Sequence, residues 1–369
     1  MPDELNRRLS FSNRSSHFHV SNRSAILVGL AFLCLGATAP RARPQTSLLP
    51  GPKPSAVPSE WKDFIGDYGP DGPMFSSAAE KDGKLLLIGA MLKDCDVRKK
   101  SASELTASCA SVSNVRLVKD SSGAVFLRTD NWNFKRRDFG VDADHIARIQ
   151  PVRPIAELRQ EALAASPPEE TGRFLTPELV EVATLDHSIH LDIRYATSND
   201  FLGTPVYSQA RAFLQRPAAE AILRVQKKLK PLGYGLLIHD AYRPWYVTKI
   251  FWGATPPEGK IFVADPAQGS RHNRGCAVDL TLYDLTTGKP IEMPGTYDEM
   301  SPRSFPDYPG GTSLQRWHRD LLRRAMESEG FTVYESEWWH FDYKDWKAYP
   351  ILNVPFEKLG TREGKSLVN

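Results

Sequence analysis

The stretch SRHNRGCAVDLTLYD, Ser270–Asp284, sets two metal-type side chains around a tight turn and leads into a strand. CAVDLTLYD alternates in the period-two manner of a strand, and TTG (Thr286–Gly288) closes it. Gly275 lets the chain turn sharply between His272 and Asp279. Upstream, YGLLIHDAY (Tyr234–Tyr242) reads as a second strand; downstream, FTVY (Phe331–Tyr334) reads as a third. Two amphipathic helices belong with them. In Arg216–Gly235, Ile222, Leu223, Val225 and Leu229 form an apolar stripe, Pro217 suits the first turn and Gly233 the end. In Thr312–Gly330, Thr312 caps the start, Leu314, Trp317, Leu321, Leu322 and Ala325 face the core, and Gly330 ends the helix. Helices and strands do not alternate in βαβ units. The expected fold of residues 176–369 is therefore α+β, a mostly antiparallel sheet with flanking helices.

The other regions are read from composition. The chain has 369 residues, 41% hydrophobic and 25% charged, with a net charge of +3. That is an ordinary soluble composition without a basic stripe, so nucleic acid is excluded as a partner. Residues 1–39 carry arginines, an apolar run of eleven (Ala25–Leu35) and the small residues GATA (Gly36–Ala39). This is the pattern of a secretory signal peptide, with no stable membrane insertion after cleavage; the alternative is an N-terminal membrane anchor. The expected location is periplasmic or extracellular. Residues 40–60, rich in Pro and Ser, read as a disordered tether. In 61–149, KLLLIGAML (Lys84–Leu92), SVSNVRLVK (Ser111–Lys119) and GAVFLRT (Gly123–Thr129) read as strands of a small antiparallel β module, structural or docking in role. Residues 150–175 form a partly helical connector. Cys95 and Cys109, fourteen apart, are expected to pair; Cys276 is left as a buried thiol that does not bind metal.

A catalytic zinc ion takes three nitrogen or oxygen ligands and keeps one position for water. His272 and Asp279 offer two ligands. EWWH (Glu337–His340) offers a third in His340, with a carboxylate three residues earlier. Residues three apart on an ideal strand face opposite sides, so this segment must turn or bulge if both are to face the site. Glu337 could then move a proton between water and a leaving amine. Spacing alone leaves a plainer reading open, a surface histidine and a strand-end aspartate.

Four ordered blocks resemble the VanX-type D-alanyl-D-alanine dipeptidases, zinc peptidases related to the D,D-carboxypeptidases. SRHNRGCAVD fits the S-x-H-x2-G-x-A-x-D signature and EWWHF the second signature. GYGLLIHDAYRP (Gly233–Pro244) and LDIRYATSNDFLGTPVY (Leu191–Tyr207) resemble two further blocks. The resemblance covers about residues 180–355. It implies one zinc ion per chain on His272, Asp279 and His340, Glu337 as general base then acid, and Arg243 as stabiliser of the transition state, with Asp240 orienting it. It further suggests Ser270 and Tyr195 as substrate contacts and Asp298 as partner of a substrate ammonium. The implied substrate is a small D,D-dipeptide, cleaved to D-alanine; the alternative is a D,D-carboxypeptidase acting on longer peptidoglycan stems. The module 61–149 lies outside the resemblance, and envelope or peptidoglycan docking is its expected use. His187, His190 and His239 are expected to pack or sit exposed, and His318 to lie on the polar side of its helix.

Overall fold

The computed structural model describes residues 48–360 other than 94 and 143; the expected signal segment and the start of the tether lie outside these residues. Among the described residues no helix is long and apolar enough to cross a membrane. After a single turn, α1 (Ser59–Lys62), eight strands follow one another as antiparallel neighbours: β1 (Gly66–Tyr68), β2 (Ser76–Lys81), β3 (Lys84–Gly89), β4 (Cys95–Lys99), β5 (Glu104–Ser108), β6 (Val115–Lys119), β7 (Val125–Arg128) and β8 (Asn133–Lys135). Tyr68 bridges Arg136, just past β8, so the meander closes on itself. Asp82 and Gly83, both at positive φ, make the two-residue turn from β2 to β3. Leu85 and Leu87, Val115 and Leu117, and Val125 and Leu127 alternate into one core with Phe64 and Tyr68. Cys95 and Cys109 are joined in a disulfide.

The rest of the chain is built around a five-stranded sheet. A connector helix, α2 (Ile155–Ala164), leads to β9 (Leu179–Glu181), the short α3 (Val182–Leu185) and β10 (His190–Leu191). Then come β11 (Phe213–Gln215), α4 (Arg216–Leu229), β12 (Tyr234–Asp240), α5 (Trp245–Ala254), β13 (Ala277–Asp284), α6 (Ser313–Glu327), β14 (Phe331–Tyr334) and β15 (Glu337–Tyr343). The sheet order is β10-β12-β13-β15-β14, with β11 paired to β9 separately. Only β10–β12 is parallel; the remaining pairs in the sheet are antiparallel, as the α+β expectation requires. α4 buries Ala218, Ile222, Val225 and Leu229, and α6 buries Trp317, Leu321, Leu322 and Ala325. Thr312 and Gln315 cap α6 reciprocally.

Two features differ from expectation. Residues 48–58 are not loose where they are described: Trp317 Nε1 donates to Gly51 O (3.0 Å) and the Lys53 ammonium lies 5.2 Å from the Tyr234 ring. Proline-rich chain needs no hydrogen-bond ladder of its own, so it can lie along an aromatic surface. This segment lies along the side of α6 that carries Trp317. His318 is therefore buried, not on a polar face, with Nε2 3.1 Å from the Tyr234 hydroxyl.

Candidate metal centre and active site

The site forms where β12, β13 and β15 run side by side. His272 sits in a 3-10 turn, His272–Arg274, that ends at Gly275 with φ 66°. A β-carbon at Gly275 would come within 2.4 Å of Leu179 Cδ2, so another residue there would have to displace that side chain as well as adopt a left-handed backbone angle. Gln215 holds the turn through Gly275 O (2.8 Å) and Arg274 O (2.9 Å). β13 then presents Asp279, directly opposite His340 of β15. The expected distortion of EWWH is present. Against the consecutive residues Val333 and Tyr334 of β14, β15 passes from Phe341 to Glu337. This bulge turns Glu337 and His340 to the same pocket.

Three potential ligand atoms converge. Asp279 Oδ1 lies 3.0 Å from His340 Nδ1 and 3.3 Å from His272 Nε2, and the two nitrogens are 3.1 Å apart. His272, Asp279 and His340 are all buried and form a group able to hold a metal ion. Asp279 Oδ1 has no hydrogen-bond partner of good geometry despite these neighbours. Burial alone would raise the Asp279 carboxyl, yet the two imidazoles hold it far below the usual carboxylate range. The outward nitrogen of each ring is occupied: His272 Nδ1 lies 2.6 Å from Ala241 O, and His340 Nε2 lies 2.9 Å from Asp342 Oδ1. Such partners select the tautomer and aim the other nitrogen inward.

Around this cluster stand the other residues expected at the site. Glu337 Oε2 is 3.7 Å from His340 Nδ1; burial pushes its carboxyl up to about 8, against the pull of His340. Arg243 follows β12. Its Nε and Nη2 donate to Asp240 Oδ2 at 2.9 and 2.8 Å, and Nη2 reaches within 3.8 Å of Asp279 Oδ2. Asp240 thus orients Arg243, and the Tyr207 hydroxyl holds Asp240 at 2.7 Å. Tyr195 donates to Asp298 Oδ1 (3.0 Å). Asp298 has φ 58°, and its Oδ2 is buried without a partner. Burial, with Asp279 and Glu337 adding to it, pushes the Asp298 carboxyl well up. Ser270 Oγ accepts from His272 N (3.2 Å). One pocket is lined by all eight expected residues: Tyr195, Arg243, Ser270, His272, Asp279, Asp298, Glu337 and His340.

The sequence reading missed Tyr297 and Asp342. The Tyr297 hydroxyl sits 3.0 Å from Asp279 Oδ2 and 2.9 Å from the Tyr195 hydroxyl, tying the two halves of the pocket together. Asp342 was legible in principle, since it lies two residues beyond His340 on one strand. Cys276 is buried in the core with its thiol pushed up to about 12 by burial, which suits a group that is not a ligand. His239 packs on the Tyr297 ring at 4.5 Å, while His187 and His190 are exposed.

Residues 176–358 match the family described as D-ala-D-ala dipeptidase, in the M15 peptidases. The D-alanyl-D-alanine dipeptidase of Escherichia coli (strain K12) is 35% identical over 181 residues, which is 49% of this chain and 92% of that protein. Its namesake in Enterococcus faecalis (strain ATCC 700802 / V583) is 35% identical over 44% of this chain and 90% of its own length. That of Streptomyces coelicolor is 34% identical over 46% and 94%. With nearly the whole of each relative spanned, this chain belongs to the D-ala-D-ala dipeptidase family of hydrolases.

Proposed function

We propose that this chain hydrolyses D-alanyl-D-alanine to two molecules of D-alanine, with one zinc ion held by His272, Asp279 and His340. The observation that carries the reading is the convergence of two imidazole nitrogens on Asp279 Oδ1, a buried oxygen lacking any other partner. Two nitrogens and one carboxylate oxygen suit zinc and leave room for water or substrate. Zinc bound there would polarise the peptide carbonyl and acidify water.

The chain's own residues supply the other steps. Glu337 accepts a proton from the attacking water as the C–O bond forms, then donates it to the amine as the C–N bond breaks. A cation held by the neighbouring cluster would oppose the upward push of burial on the Glu337 carboxyl. Arg243, always charged and aimed by Asp240, stabilises the oxyanion that develops on the carbonyl. Asp298, supported by Tyr195, receives the dipeptide's ammonium, and Ser270 borders the substrate near the metal ligands. The basic, apolar and small-residue pattern of residues 1–39 assigns this activity to the periplasm or the outside of the cell; fractionation that finds the intact chain in the cytosol would overturn that placement.

Rates on D-alanyl-D-alanine and on a pentapeptide ending in D-alanyl-D-alanine test the substrate assignment. The dipeptide should be cleaved at least tenfold faster, because a buried carboxylate aimed at a free ammonium selects short substrates. Faster cleavage of the pentapeptide would make the chain a D,D-carboxypeptidase instead. Glu337→Ala should retain zinc and lose hydrolysis; unchanged hydrolysis would remove Glu337 from its role.

A further inference from the structure

The family match begins at residue 176, which leaves the module 61–149 without a role. The module meets the catalytic part at a particular place. Residues 294–312 form a loop entering α6 and carry Tyr297 and Asp298; its regular structure is one 3-10 turn, Pro302–Ser304. Within the loop, the fully buried Glu299 carboxylate accepts from Arg303 Nε and Nη2, each at 2.6 Å, and from Thr296 N at 3.0 Å. These bonds set the loop's own shape. They do not tie it to the sheet.

Tyr297 ties the loop to Asp279 of β13 at 3.0 Å, and the module adds further ties of its own. Thr296 Oγ1 donates to His145 O at 2.6 Å. The Tyr308 hydroxyl donates to Asp67 Oδ1 at 2.7 Å, both residues being buried. Glu80 N donates to Gly311 O at 3.0 Å. The Arg303 guanidinium lies 5.1 Å from the Phe139 ring. Across the pocket, the end of the module holds the neighbouring wall: Arg148 donates to Ser198 O (2.6 Å) and Asp200 O (2.9 Å), and Ile149 N donates to Phe201 O (2.9 Å). Phe201 lines the pocket and stands edge-on to Tyr195. The contacts therefore flank Tyr195 and Asp298, the pair joined at 3.0 Å. The metal-binding group and Glu337 are placed instead by β13, β15 and the Gly275 turn. An aspartate at φ 58° is a conformation that its surroundings must maintain.

We propose that residues 61–149 are a built-in clamp that holds loop 294–312 so that Asp298, with Tyr195, meets the substrate's ammonium. The clamp rests on the assignment of Asp298 to that ammonium. It acts on substrate binding, and it reaches the metal-binding group only through the Tyr297–Asp279 contact.

The test uses the full chain with Thr296→Val and Tyr308→Phe, singly and together. The readouts are kcat and KM for D-alanyl-D-alanine, zinc content, and amide hydrogen exchange across 294–312. Loss of binding that is uniform in ground and transition states raises KM with kcat unchanged. The double variant should show KM raised about tenfold, the effect of losing two ordinary hydrogen bonds. Its kcat should stay within about twofold of wild type, zinc should stay at one per chain, and exchange in 294–312 should quicken. Thr296→Ser keeps the hydroxyl and should retain the wild-type KM. Quicker exchange with unchanged KM overturns the clamp, as does unchanged exchange, or a fall in kcat together with zinc. A wild type that releases no D-alanine defeats the functional reading and the clamp with it. An active wild type whose variants keep its KM defeats the clamp alone.

Discussion

Arg243, the proposed stabiliser of the oxyanion, shows how the fold aims a single side chain. Its guanidinium is buried beside the Tyr195 and Phe251 rings, 5.4 and 4.8 Å from their centres, and is aimed by two contacts to Asp240. A lysine keeps the charge but not the planar fork that Asp240 grips. Arg243→Lys should lower kcat about 100-fold with KM changed far less, in the range seen when one oxyanion donor is lost. Steady-state kinetics on D-alanyl-D-alanine check this, and an unchanged kcat would leave Arg243 a structural ion pair. His272, Asp279, His340 and Glu337 were read through four ordered blocks that resemble a family, since a His–Asp pair or a Glu three residues before a His is ambiguous by spacing alone. Tyr297 was not legible, because a tyrosine in a loop has many uses. Its role arises only when residues 195, 279 and 297 meet in space.

At the scale of elements, α6 carries a pH dependence. Burial holds the His318 imidazole down to about 4, and Lys53 pushes the same way. An unfolded histidine titrates near 6.5. The folded chain keeps His318 neutral in the interval between, so only the unfolded chain takes up that proton. Its contribution to stability is complete above about pH 6.5 and is lost as pH falls towards 4. His318→Gln should therefore lose less melting temperature than wild type between pH 7 and pH 4.5; equal losses would show that His318 titrates alike folded and unfolded. Strands of β-branched or alternating residues, such as β6, β7 and β13, were legible as elements. β2 was not: SSAAEK has no strand-like pattern, and its residues Ser76–Glu80 are all buried. Ala78 packs in the module core and Glu80 meets Ser313 of the catalytic part, so small and charged residues are buried here without an apolar alternation. The helices α4 and α6 were legible because their apolar stripes and end signals agree.

The described residues join a closed eight-stranded meander to an α+β hydrolase within one compact unit. Composition predicted a module there but not its seat, since the seat consists of single polar contacts far apart in sequence. Glu80 is the clearest. It is buried, and its carboxylate accepts from Gly83 N at 2.7 Å and from Ser313 N, at the start of α6, at 2.6 Å. Glu80→Ala should cost about 2–3 kcal/mol, because two backbone donors lose a charged acceptor. Urea unfolding measures it, and a loss under about 0.5 kcal/mol, the level of an ordinary surface substitution, would show that the contact adds little.

The central claim is that His272, Asp279 and His340 bind the zinc on which cleavage of a D,D-dipeptide depends. The measurement that tests it most directly is release of D-alanine from D-alanyl-D-alanine by the purified chain as isolated, after chelation, and after zinc is restored. The account predicts release that chelation abolishes and one equivalent of zinc restores. Release that survives complete removal of metal, or no release from a chain carrying one zinc, would contradict it.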